Sequence, residues 1–273
     1  MTSLPAIAII GAGSMGGAIL SGLLHPSNSV DGLRVTNRTE LKAAAVRSVD
    51  VESLSLELDP AANLRAVTGA DVVIIGVKPA MVLDVLREIA PGLGENAIVV
   101  SVAAGVSTAA MEAVIPSIVV RAMPNTPAVI GRGVTGISAG SRADQGDMVV
   151  VRVLFETIGE VLEIDESKID ALSTISGSGP AYVFYLVEEL TATAIGLGFT
   201  PAEARTMVDG TFLGAAQLLV STGEEPGELR RRVTSPNGTT ERAMAELQKA
   251  GLSALFDRAT AAALARAKEL AAG

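Results

Sequence analysis

Residues 7–20 read IAIIGAGSMGGAIL, and this stretch decides the fold of the amino-terminal half of the chain. Four apolar residues, typical of a buried strand, lead directly into Gly11-x-Gly13-x-x-Gly16, and apolar helical sequence follows. At this spacing Gly11 permits the turn, Gly13 lets a pyrophosphate approach the backbone, and Gly16 lets the helix pack closely on the sheet. The helix N-terminus then faces the phosphates. The pattern predicts a dinucleotide-binding strand–turn–helix; a plain tight turn is the alternative, since a chain with 28 glycines can produce the spacing by chance.

The same region offers a second interpretation, because residues 6–24 form an uncharged and mostly apolar run that could pass for a membrane span. Residues 1–5 contain no Lys or Arg of the kind that precedes the apolar part of a signal peptide. Glycines interrupt the run and are bunched between Gly11 and Gly17, which fits a turn better than a continuous helix. We therefore expect no membrane segment and no membrane partner.

Composition sets broad limits on function. A chain of 273 residues, 49% of them apolar, is long enough for two domains with a substantial core. A formal charge of −9 argues against a nucleic-acid binder, which needs a basic surface. The absence of cysteine rules out disulfides, thiolate catalysis and cysteine-based zinc sites. It is also compatible with a cytoplasmic location, which we expect.

The chain divides into two halves with different patterns. Up to about residue 165, short aliphatic runs alternate with helical stretches such as 79–90 and 142–157, which is the rhythm of a parallel sheet with crossover helices. The predicted strands are 6–10, 33–36, 72–77, 97–100, 118–121, 134–138 and 160–164. After about residue 166 only helical patterns remain. We predict an α/β fold, with a doubly wound sheet in residues 1–165 and an all-α domain in residues 166–273.

The helical half carries more apolar surface than a small bundle can bury by itself. Residues 181–195 begin apolar on nearly every face, which fits either an ordinary core helix or burial against a second subunit; we favour the second. The stretch 201–222 places an apolar stripe on one helical face, made of Ala204, Met207, Val208, Thr211, Ala215, Leu218 and Leu219. A homodimer formed by this half is the expectation.

The end of the second predicted strand bears on cofactor choice. A site for NAD typically ends this strand with Asp or Glu, which accepts a hydrogen bond from the ribose 2′-hydroxyl. Here the sequence after Val35 is Thr-Asn-Arg-Thr, with no carboxylate before Glu40. Asn37 can hydrogen-bond a 2′-phosphate and Arg38 can pair with it. The segment predicts NADPH, with NADH as the alternative cofactor and a solvated helix-start residue as the alternative role of Arg38.

Two further stretches follow predicted strands and fall where a doubly wound sheet binds its ligands. They are GVKP, residues 76–79, and SVAAG, residues 101–105. Lys78 can be a catalytic acid, a phosphate contact, or simply a charge that leaves a buried strand. Pro79 fits the first position of a helix.

The stretch SPNGTT, residues 235–240, interrupts the helical half. Ser235 is a good N-cap and Pro236 a good first helical residue, so we predict a helix from here to about Lys249. Its first turn offers unpaired N–H groups, Gly238 allows close approach, and two threonine hydroxyls lie nearby. This arrangement predicts a site for a small carboxylate, with ordinary helix capping as the alternative.

These segments resemble the pyrroline-5-carboxylate reductase family. The matching pieces, in the order of the family, are GAGSMGGAI, GVKP, SVAAGV, MPNTP (123–127), SGSGPAYVF (176–184) and VTSPNGTTERA (233–243), and they span nearly the whole chain. One departure is Asn237, where the family signature SPGGTT has glycine; this leaves the turn geometry open, although Asn tolerates left-handed backbone best after Gly. The resemblance implies a Rossmann domain followed by an interlocking helical dimer, with a ring of dimers (a decamer) as a larger assembly.

The resemblance also implies an activity, the NAD(P)H-dependent reduction of 1-pyrroline-5-carboxylate to L-proline, and a set of site residues. The substrate residues that it implies are Glu166, Thr239 and Thr240, and the predicted helix start adds Ser235 and Gly238. The hydroxyl of Thr240 is expected to hydrogen-bond the ring nitrogen. The cofactor residues are Gly11, Ala12, Gly13, Ser14, Met15, Gly16, Asn37, Arg38, Asn63, Gly76, Val77, Lys78, Pro79, Val102, Ala103 and Ala104.

Two rival functions are weighed on the groups that the sequence has and lacks. No Ser-His-Asp triad, metal-ligand cluster or conspicuous carboxylate pair is apparent, and His25 follows the first helix in a predicted loop. Hydride transfer to a protonated imine needs none of these, because the carbon is already electrophilic. A β-hydroxyacid dehydrogenase expects a catalytic lysine where this chain has Ser-Gly-Ser-Gly-Pro. A catalytically silent NADPH-binding regulator is the other rival, and the intact threonines argue against it.

Overall fold

A computed structural model describes residues 2–272 of the chain. Its strands are β1 (Thr2–Leu4), β2 (Ile7–Ile10), β3 (Asn28–Val30), β4 (Leu33–Asn37), β5 (Glu52–Ser55), β6 (Val72–Ile75), β7 (Ile98–Ser101), β8 (Ile118–Met123), β9 (Gly133–Ala139) and β10 (Gly159–Glu163). Its helices are α1 (Ser14–Leu23), α2 (Glu40–Val46), α3 (Ala62–Val67), α4 (Val82–Ile89), α5 (Thr108–Glu112), α6 (Gln145–Glu156), α7 (Ile169–Leu172), α8 (Gly179–Gly196), α9 (Pro201–Thr222), α10 (Pro226–Arg232), α11 (Thr239–Lys249) and α12 (Leu252–Ala272).

The main sheet has the strand order β10-β9-β8-β7-β6-β2-β4-β5. Strand β2 is the first strand of this sheet in the sequence, and later strands are added on both sides of it, so the direction in which strands are added reverses there. This is the doubly wound arrangement that the sequence predicts, and every predicted strand is present with ends shifted by at most two residues. The sheet is parallel except at one place, where β9 runs antiparallel to β8. Only a short 3₁₀ turn, Thr126–Ile130, joins these strands, and a parallel return would need a longer crossover. Strands β1, β3 and β5 were not predicted.

Side chains of β2 alternate between two separate cores. Ile7 and Ile9 belong to the cluster that α1 and α6 cover, whereas Ala8 and Ile10 belong to the cluster that α4 and α5 cover. All four are at most 1% exposed. Continuous apolarity along this strand therefore reflects burial on both faces of the sheet, as expected for parallel strands between two helical layers.

The chain separates into two compact units. The second unit comprises Gly179–Ala262, and the first contains the rest of the described chain. The second unit has a small core, because its buried residues within 179–262 are Ala194, Ala204 and Val208. Large apolar side chains lie exposed along α8 and α9, namely Val183, Phe184, Tyr185, Leu186, Leu190, Ile195, Met207, Leu213, Leu218, Leu219 and Val220. Only part of the predicted stripe on α9 therefore packs within its own chain, and the unit alone cannot cover its apolar surface.

The alternative of a membrane span is not supported. Residues 6–24 form β2, a glycine turn and α1. Among residues 2–272, no helix combines the length and the apolarity that crossing a bilayer requires.

Candidate active site

The turn between β2 and α1 needs its glycines for two different reasons, and the first is internal packing. Gly11 adopts φ +87°, and its N–H donates to the carbonyl of Thr36 at 3.1 Å, which ties the turn to β4. A Cβ on Gly16 or on Gly76 would lie 2.6 Å from the carbonyl oxygen of Gly11. Such a contact is too short for a real Cβ, so these two positions bring α1 and the end of β6 against the turn.

Gly13 has no such internal reason. No protein atom lies within 4 Å of the place that its Cβ would occupy, and its backbone, at φ −71° and ψ −156°, suits any residue. It is the N-cap of α1, and no side chain caps the first turn of Ser14, Met15 and Gly16. The turn therefore leaves room beside an uncapped helix N-terminus, which is the arrangement that binds a pyrophosphate.

Residues after β6 and β7 join this turn at one edge of the sheet. Gly76 donates from its N–H to the carbonyl of Ile10 at 2.8 Å, and Val102 donates to the carbonyl of Ile75 at 3.1 Å. Since β2, β6 and β7 are parallel neighbours, their carboxyl ends meet here. The structure thus brings the predicted cofactor residues Gly76, Val77, Lys78, Pro79, Val102, Ala103 and Ala104 close to the glycine turn. Lys78 is exposed, and Pro79 begins a 3₁₀ turn as predicted.

At the end of β4, Asn37 is 5% exposed, and within the described chain its Nδ2 has no hydrogen-bond partner. The next residue, Arg38, is exposed, and its Nη2 lies 4.0 Å from the sulfur of Met81, which follows β6. The Arg38 side chain therefore reaches from the end of β4 towards the segment after β6. It is available at the edge of the sheet where the glycine turn lies.

A carboxylate also stands next to this segment, although the sequence after β4 contains none before Glu40. Glu57, in the connection after β5, accepts a hydrogen bond from the N–H of Glu40 at 2.8 Å. Sequence reasoning missed this residue because it considered only the strand end itself. Strand pairing of β4 with β5, which was not predicted, is what brings Glu57 there.

Asn63 lies in α3 and is 3% exposed. Its Nδ2 donates to Glu88 of α4 at 3.1 Å, and its Oδ1 has no partner among the described residues. Buried polar groups are nearly always hydrogen-bonded, so the unpaired Nδ2 of Asn37 and Oδ1 of Asn63 suggest that a ligand completes these hydrogen bonds. Together with the space beside Gly13, the unpaired Asn37 amide at the same sheet edge fits a bound dinucleotide.

The predicted helix start at Ser235 is wrong. Helix α11 begins at Thr239, with Gly238 as its N-cap, and it ends at Lys249 as predicted. Residues 235–238 form a turn in which the N–H of Gly238 donates to the carbonyl of Ser235 at 3.0 Å. Asn237 has φ +58°, a left-handed conformation that no helix continues. It is the third residue of the turn Ser235–Gly238, with Pro236 second, and a positive φ at that position is what a type II turn requires. Asn in place of the usual glycine therefore keeps the turn.

The start of α11 still offers the features that the carboxylate site requires. No side chain caps its first turn, Thr239 is exposed, and Thr240 is half-buried. Glu241 reaches back, and its Oε2 accepts a hydrogen bond from the N–H of Asn237 at 2.9 Å, which fixes the turn against the helix. Ser235, Gly238, Thr239 and Thr240 thus lie together in the second unit, at a helix N-terminus of positive dipole.

Two of the three arginines that precede this turn, residues 230–232, are paired with carboxylates. Arg231 and Arg232 both hydrogen-bond the carboxylate of Glu228, and Arg232 also pairs with Glu224 at 2.7 Å. The hydrogen bond from Arg231 is the main reason that the pKa of Glu228 falls to about 2. These pairs hold α10 together directly before the turn.

Glu166, the remaining predicted substrate residue, belongs to the first unit. Its Oε1 accepts from the N–H of Thr108 at 2.7 Å, and its Oε2 accepts from the Thr108 hydroxyl at 2.6 Å. The Nη1 of Arg121 lies 3.6 Å from Oε1. Both carboxylate oxygens are therefore already engaged within the chain.

Sequence reasoning also missed the role of Asn125 in the MPNTP motif. Asn125 is 7% exposed; its Nδ2 donates to the carbonyl of Ser176 at 2.9 Å, and its Oδ1 accepts from the N–H of Val134 at 2.8 Å. It joins the segment after β8 to a π-helical turn, Ser173–Gly177, whose last two residues begin the SGSGP motif. Nothing in the sequence connects the MPNTP and SGSGP motifs. In the fold, the Asn125 side chain of the first donates a hydrogen bond to the backbone of the second.

Both halves of the chain match models of known protein families. Residues 166–270 match the family model described as pyrroline-5-carboxylate reductase dimerisation. Residues 6–105 match the model described as NADP oxidoreductase, coenzyme F420-dependent. A curated relative, pyrroline-5-carboxylate reductase of Corynebacterium melassecola, is 41% identical over 271 residues, which cover 97% of this chain and 98% of the relative.

Solved structures agree over the same length. A pyrroline-5-carboxylate reductase from Coxiella burnetii superposes with a TM-score of 0.87 at 35% identity, covering 97% of each chain. The Plasmodium falciparum pyrroline carboxylate reductase with NADP bound gives a TM-score of 0.82 at 23% identity, covering 97% of this chain and 98% of the other, a similarity of fold.

Proposed function

The chain belongs to the pyrroline-5-carboxylate reductase family, and we propose NADPH as the reductant it prefers and Thr240 as the residue that positions its substrate. The reaction is the reduction of 1-pyrroline-5-carboxylate to L-proline, the final step of proline biosynthesis, by hydride transfer to a cyclic imine. Two separate observations carry this proposal. Helix α1 begins without a side-chain cap beside the open space at Gly13, which suits a dinucleotide, and helix α11 begins without one at Thr239, which suits a carboxylate.

The dinucleotide is proposed to lie along the edge of the sheet where the turn after β2 and the segments after β6 and β7 meet. The backbone of residues Gly11–Gly16 would hold the pyrophosphate, because the space beside Gly13 and the uncapped α1 N-terminus face it. Gly76–Pro79 and Val102–Ala104 would contact the part of the cofactor nearer the reaction. Asn63, whose buried Oδ1 has no partner among the described residues, is proposed as a further contact.

NADPH is proposed over NADH because the end of β4 carries Asn37 and Arg38. The buried Nδ2 of Asn37 is a hydrogen-bond donor that has no partner in the described chain. The guanidinium of Arg38 is exposed and can pair with a 2′-phosphate. The NADP-bound Plasmodium relative supports a nicotinamide dinucleotide of this type. The nearby carboxylate of Glu57 favours NADH instead, because it would repel a 2′-phosphate. NADH is therefore expected to remain a usable alternative.

The substrate carboxylate is proposed to bind the N–H groups at the start of α11. Gly238, the N-cap, has no side chain and lets the carboxylate approach the backbone closely. The hydroxyls of Ser235 and Thr239 lie beside this helix start, and the helix dipole favours an anion there. The hydroxyl of the half-buried Thr240 would hydrogen-bond the ring nitrogen. Adjacent helical residues point about 100° apart, so only one of the two threonines can face that atom.

The chemistry asks little of the protein besides orientation. When bound, the nicotinamide supplies the hydride. The imine carbon is electrophilic once its nitrogen is protonated, so no metal or strong side-chain acid is needed to activate it. The start of α11 holds the carboxylate, Thr240 fixes the ring nitrogen, and the ring then presents one face in a reactive orientation.

Assembly and location complete the proposal. The exposed apolar side chains of α8 and α9 and the match to a dimerisation family support a homodimer built from residues 166–273, with residues 1–165 as the NADP-binding domain. A decameric ring of dimers and a cytoplasmic location, with which a cysteine-free chain is compatible, belong to this proposal as well.

The test compares Thr240→Val with Thr239→Val. Each substitution keeps the β-branched shape and removes one hydroxyl. Thr240→Val should lower kcat/KM for 1-pyrroline-5-carboxylate by about one to two orders of magnitude, the effect of losing one orienting hydrogen bond. NADPH affinity, measured by fluorescence titration, should stay unchanged. Thr239→Val should retain most of the rate. Wild-type turnover in Thr240→Val would leave this hydroxyl as a capping group only.

A further inference from the structure

Arg121 is a charged residue in the interior of the first unit. Its side chain is 6% exposed, and in the sheet it pairs with Ser101 of β7 and Ser138 of β9. Its Nη2 donates to Oδ1 of Asp170 at 2.6 Å, while its Nε has no partner within the described chain. Replacing a buried ion pair by apolar side chains is often neutral or stabilising, so stability alone is a weak reason for such a cluster.

Glu166 extends this cluster to the loop after β7. Its two oxygens bind the N–H and the hydroxyl of Thr108 at 2.7 and 2.6 Å, across 58 residues of sequence. The hydrogen bonds to Thr108 are shorter than the 3.6 Å separation from Arg121 Nη1. Thr108 therefore holds Glu166 most directly, and Arg121 provides a compensating charge behind it.

Thr108 is the first residue of α5 and ends the loop that leaves β7 at Ser101. The near end of this loop is fixed by two hydrogen bonds, from Val102 N–H to the Ile75 carbonyl at 3.1 Å and from Ala103 N–H to the Ser101 hydroxyl at 3.3 Å. Its middle contains Gly105 at φ +75°. Glu166 fixes the far end at Thr108, so the loop 102–107 is held at both of its ends.

We propose that Glu166 is a positioning residue for the cofactor, acting through Thr108 on the loop Val102–Ala104. This inference rests on the proposed assignment of Val102–Ala104 to the cofactor. Each carboxylate oxygen accepts one short hydrogen bond from Thr108, so the position of Glu166 and the start of α5 are fixed together. Arg121 and Asp170 keep the carboxylate in place from the side of the sheet.

The experiment measures Glu166→Gln, Thr108→Val and the double variant in the full-length enzyme. Glu166→Gln keeps the shape but weakens the acceptors, and it should raise both the KM and the Kd for NADPH about tenfold, the effect of one lost charge-assisted hydrogen bond. Thr108→Val removes only the hydroxyl and should give a smaller shift in the same direction. The double variant should be no worse than Glu166→Gln, because the two side chains form one contact.

The matched control is Glu163→Gln. Glu163 is at the end of β10, three residues earlier, and pairs with Arg152 at 2.8 Å away from the loop, so its loss should leave NADPH affinity unchanged. Hydrogen exchange of residues 102–108, measured without cofactor, reports on the loop independently of any cofactor assignment. Exchange should become faster in Glu166→Gln and stay at the wild-type rate in Glu163→Gln.

The outcomes separate the possibilities. Faster exchange together with weaker NADPH binding supports the inference. Unchanged exchange overturns the clamp on the loop, and strictly additive effects in the double variant do the same. Faster exchange with unchanged NADPH affinity overturns the positioning role and, with it, the assignment of Val102–Ala104 to the cofactor. A rise in the KM for the imine alone would make Glu166 a substrate contact.

Discussion

Gly13→Ala isolates the space beside the glycine turn from the packing of the turn itself. No protein atom lies within 4 Å of the new Cβ, and the backbone conformation suits alanine. Alanine is a poorer N-cap than glycine, but it also reduces the conformational entropy of the unfolded chain, so these opposing effects should leave the free energy of unfolding changed by less than about 1 kcal/mol. A phosphate oxygen bound to the backbone of this turn lies about 2.9 Å from an amide nitrogen, and a methyl group beside it would force the phosphate away. Losing one charge-assisted hydrogen bond costs about 1.5–3 kcal/mol, roughly a ten- to hundredfold rise in the Kd of NADPH.

Two neighbouring glycines provide matched controls. Gly17→Ala also meets no protein atom within 4 Å, but it lies one turn further along α1; it should stabilise the helix by about 0.5–1 kcal/mol and leave the Kd nearly unchanged. Gly16→Ala would place Cβ 2.6 Å from the Gly11 carbonyl, so it should destabilise the fold by about 1–3 kcal/mol. Urea unfolding and fluorescence titration with NADPH give both quantities. Wild-type NADPH affinity in Gly13→Ala would refute the placement of the pyrophosphate at this turn.

Three other substitutions test separate parts of the account. Arg38→Ala should raise the KM for NADPH roughly ten- to hundredfold and that for NADH little, because one charge-assisted bond is lost; equal effects in steady-state assays with both cofactors would remove Arg38 from cofactor choice. Phe184→Glu places a charge on an apolar face of α8 where Phe184 is 67% exposed, and sedimentation equilibrium should show monomer, whereas an intact dimer would locate the interface elsewhere. The pKa of Glu228 is lowered from 4.5 to about 2, so its stabilising effect is present above pH 4.5 and is lost as pH falls towards 2. In urea unfolding, the stability difference between wild type and Glu228→Gln should shrink over that interval, and a pH-independent difference would contradict the pairing with Arg231.

Periodicity and glycine spacing were sufficient for the framework of the first unit. Buried strands such as β2 are apolar on both faces, and the turn after β2 needs Gly11 and Gly16 for packing that follows from the strand–turn–helix geometry itself. Strand β5 was not predicted because Glu52–Ser55 is short, lies at the sheet edge and mixes polar with apolar residues. The direction of β9 was also not predicted, because the apolar pattern of a strand carries no direction and the short connection 124–132 was not used to infer one.

The candidate site was less accessible from sequence, for reasons of local geometry and of long-range contact. Ser235 and Pro236 carry the signature of a helix start, but the left-handed Asn237 makes them a turn and moves the start to Thr239. The contact between Glu166 and Thr108 spans 58 residues, and no spacing rule connects them. Glu57 approaches the end of β4 only through strand pairing.

The most direct measurement is turnover with 1-pyrroline-5-carboxylate and NADPH, followed by loss of NADPH absorbance and by the amount of proline formed. The account predicts one L-proline for each NADPH oxidised, and a much lower rate in Thr240→Val with NADPH affinity unchanged. An enzyme that binds NADPH but leaves the imine unreduced, or that instead oxidises a β-hydroxy acid with NADP⁺, would contradict it.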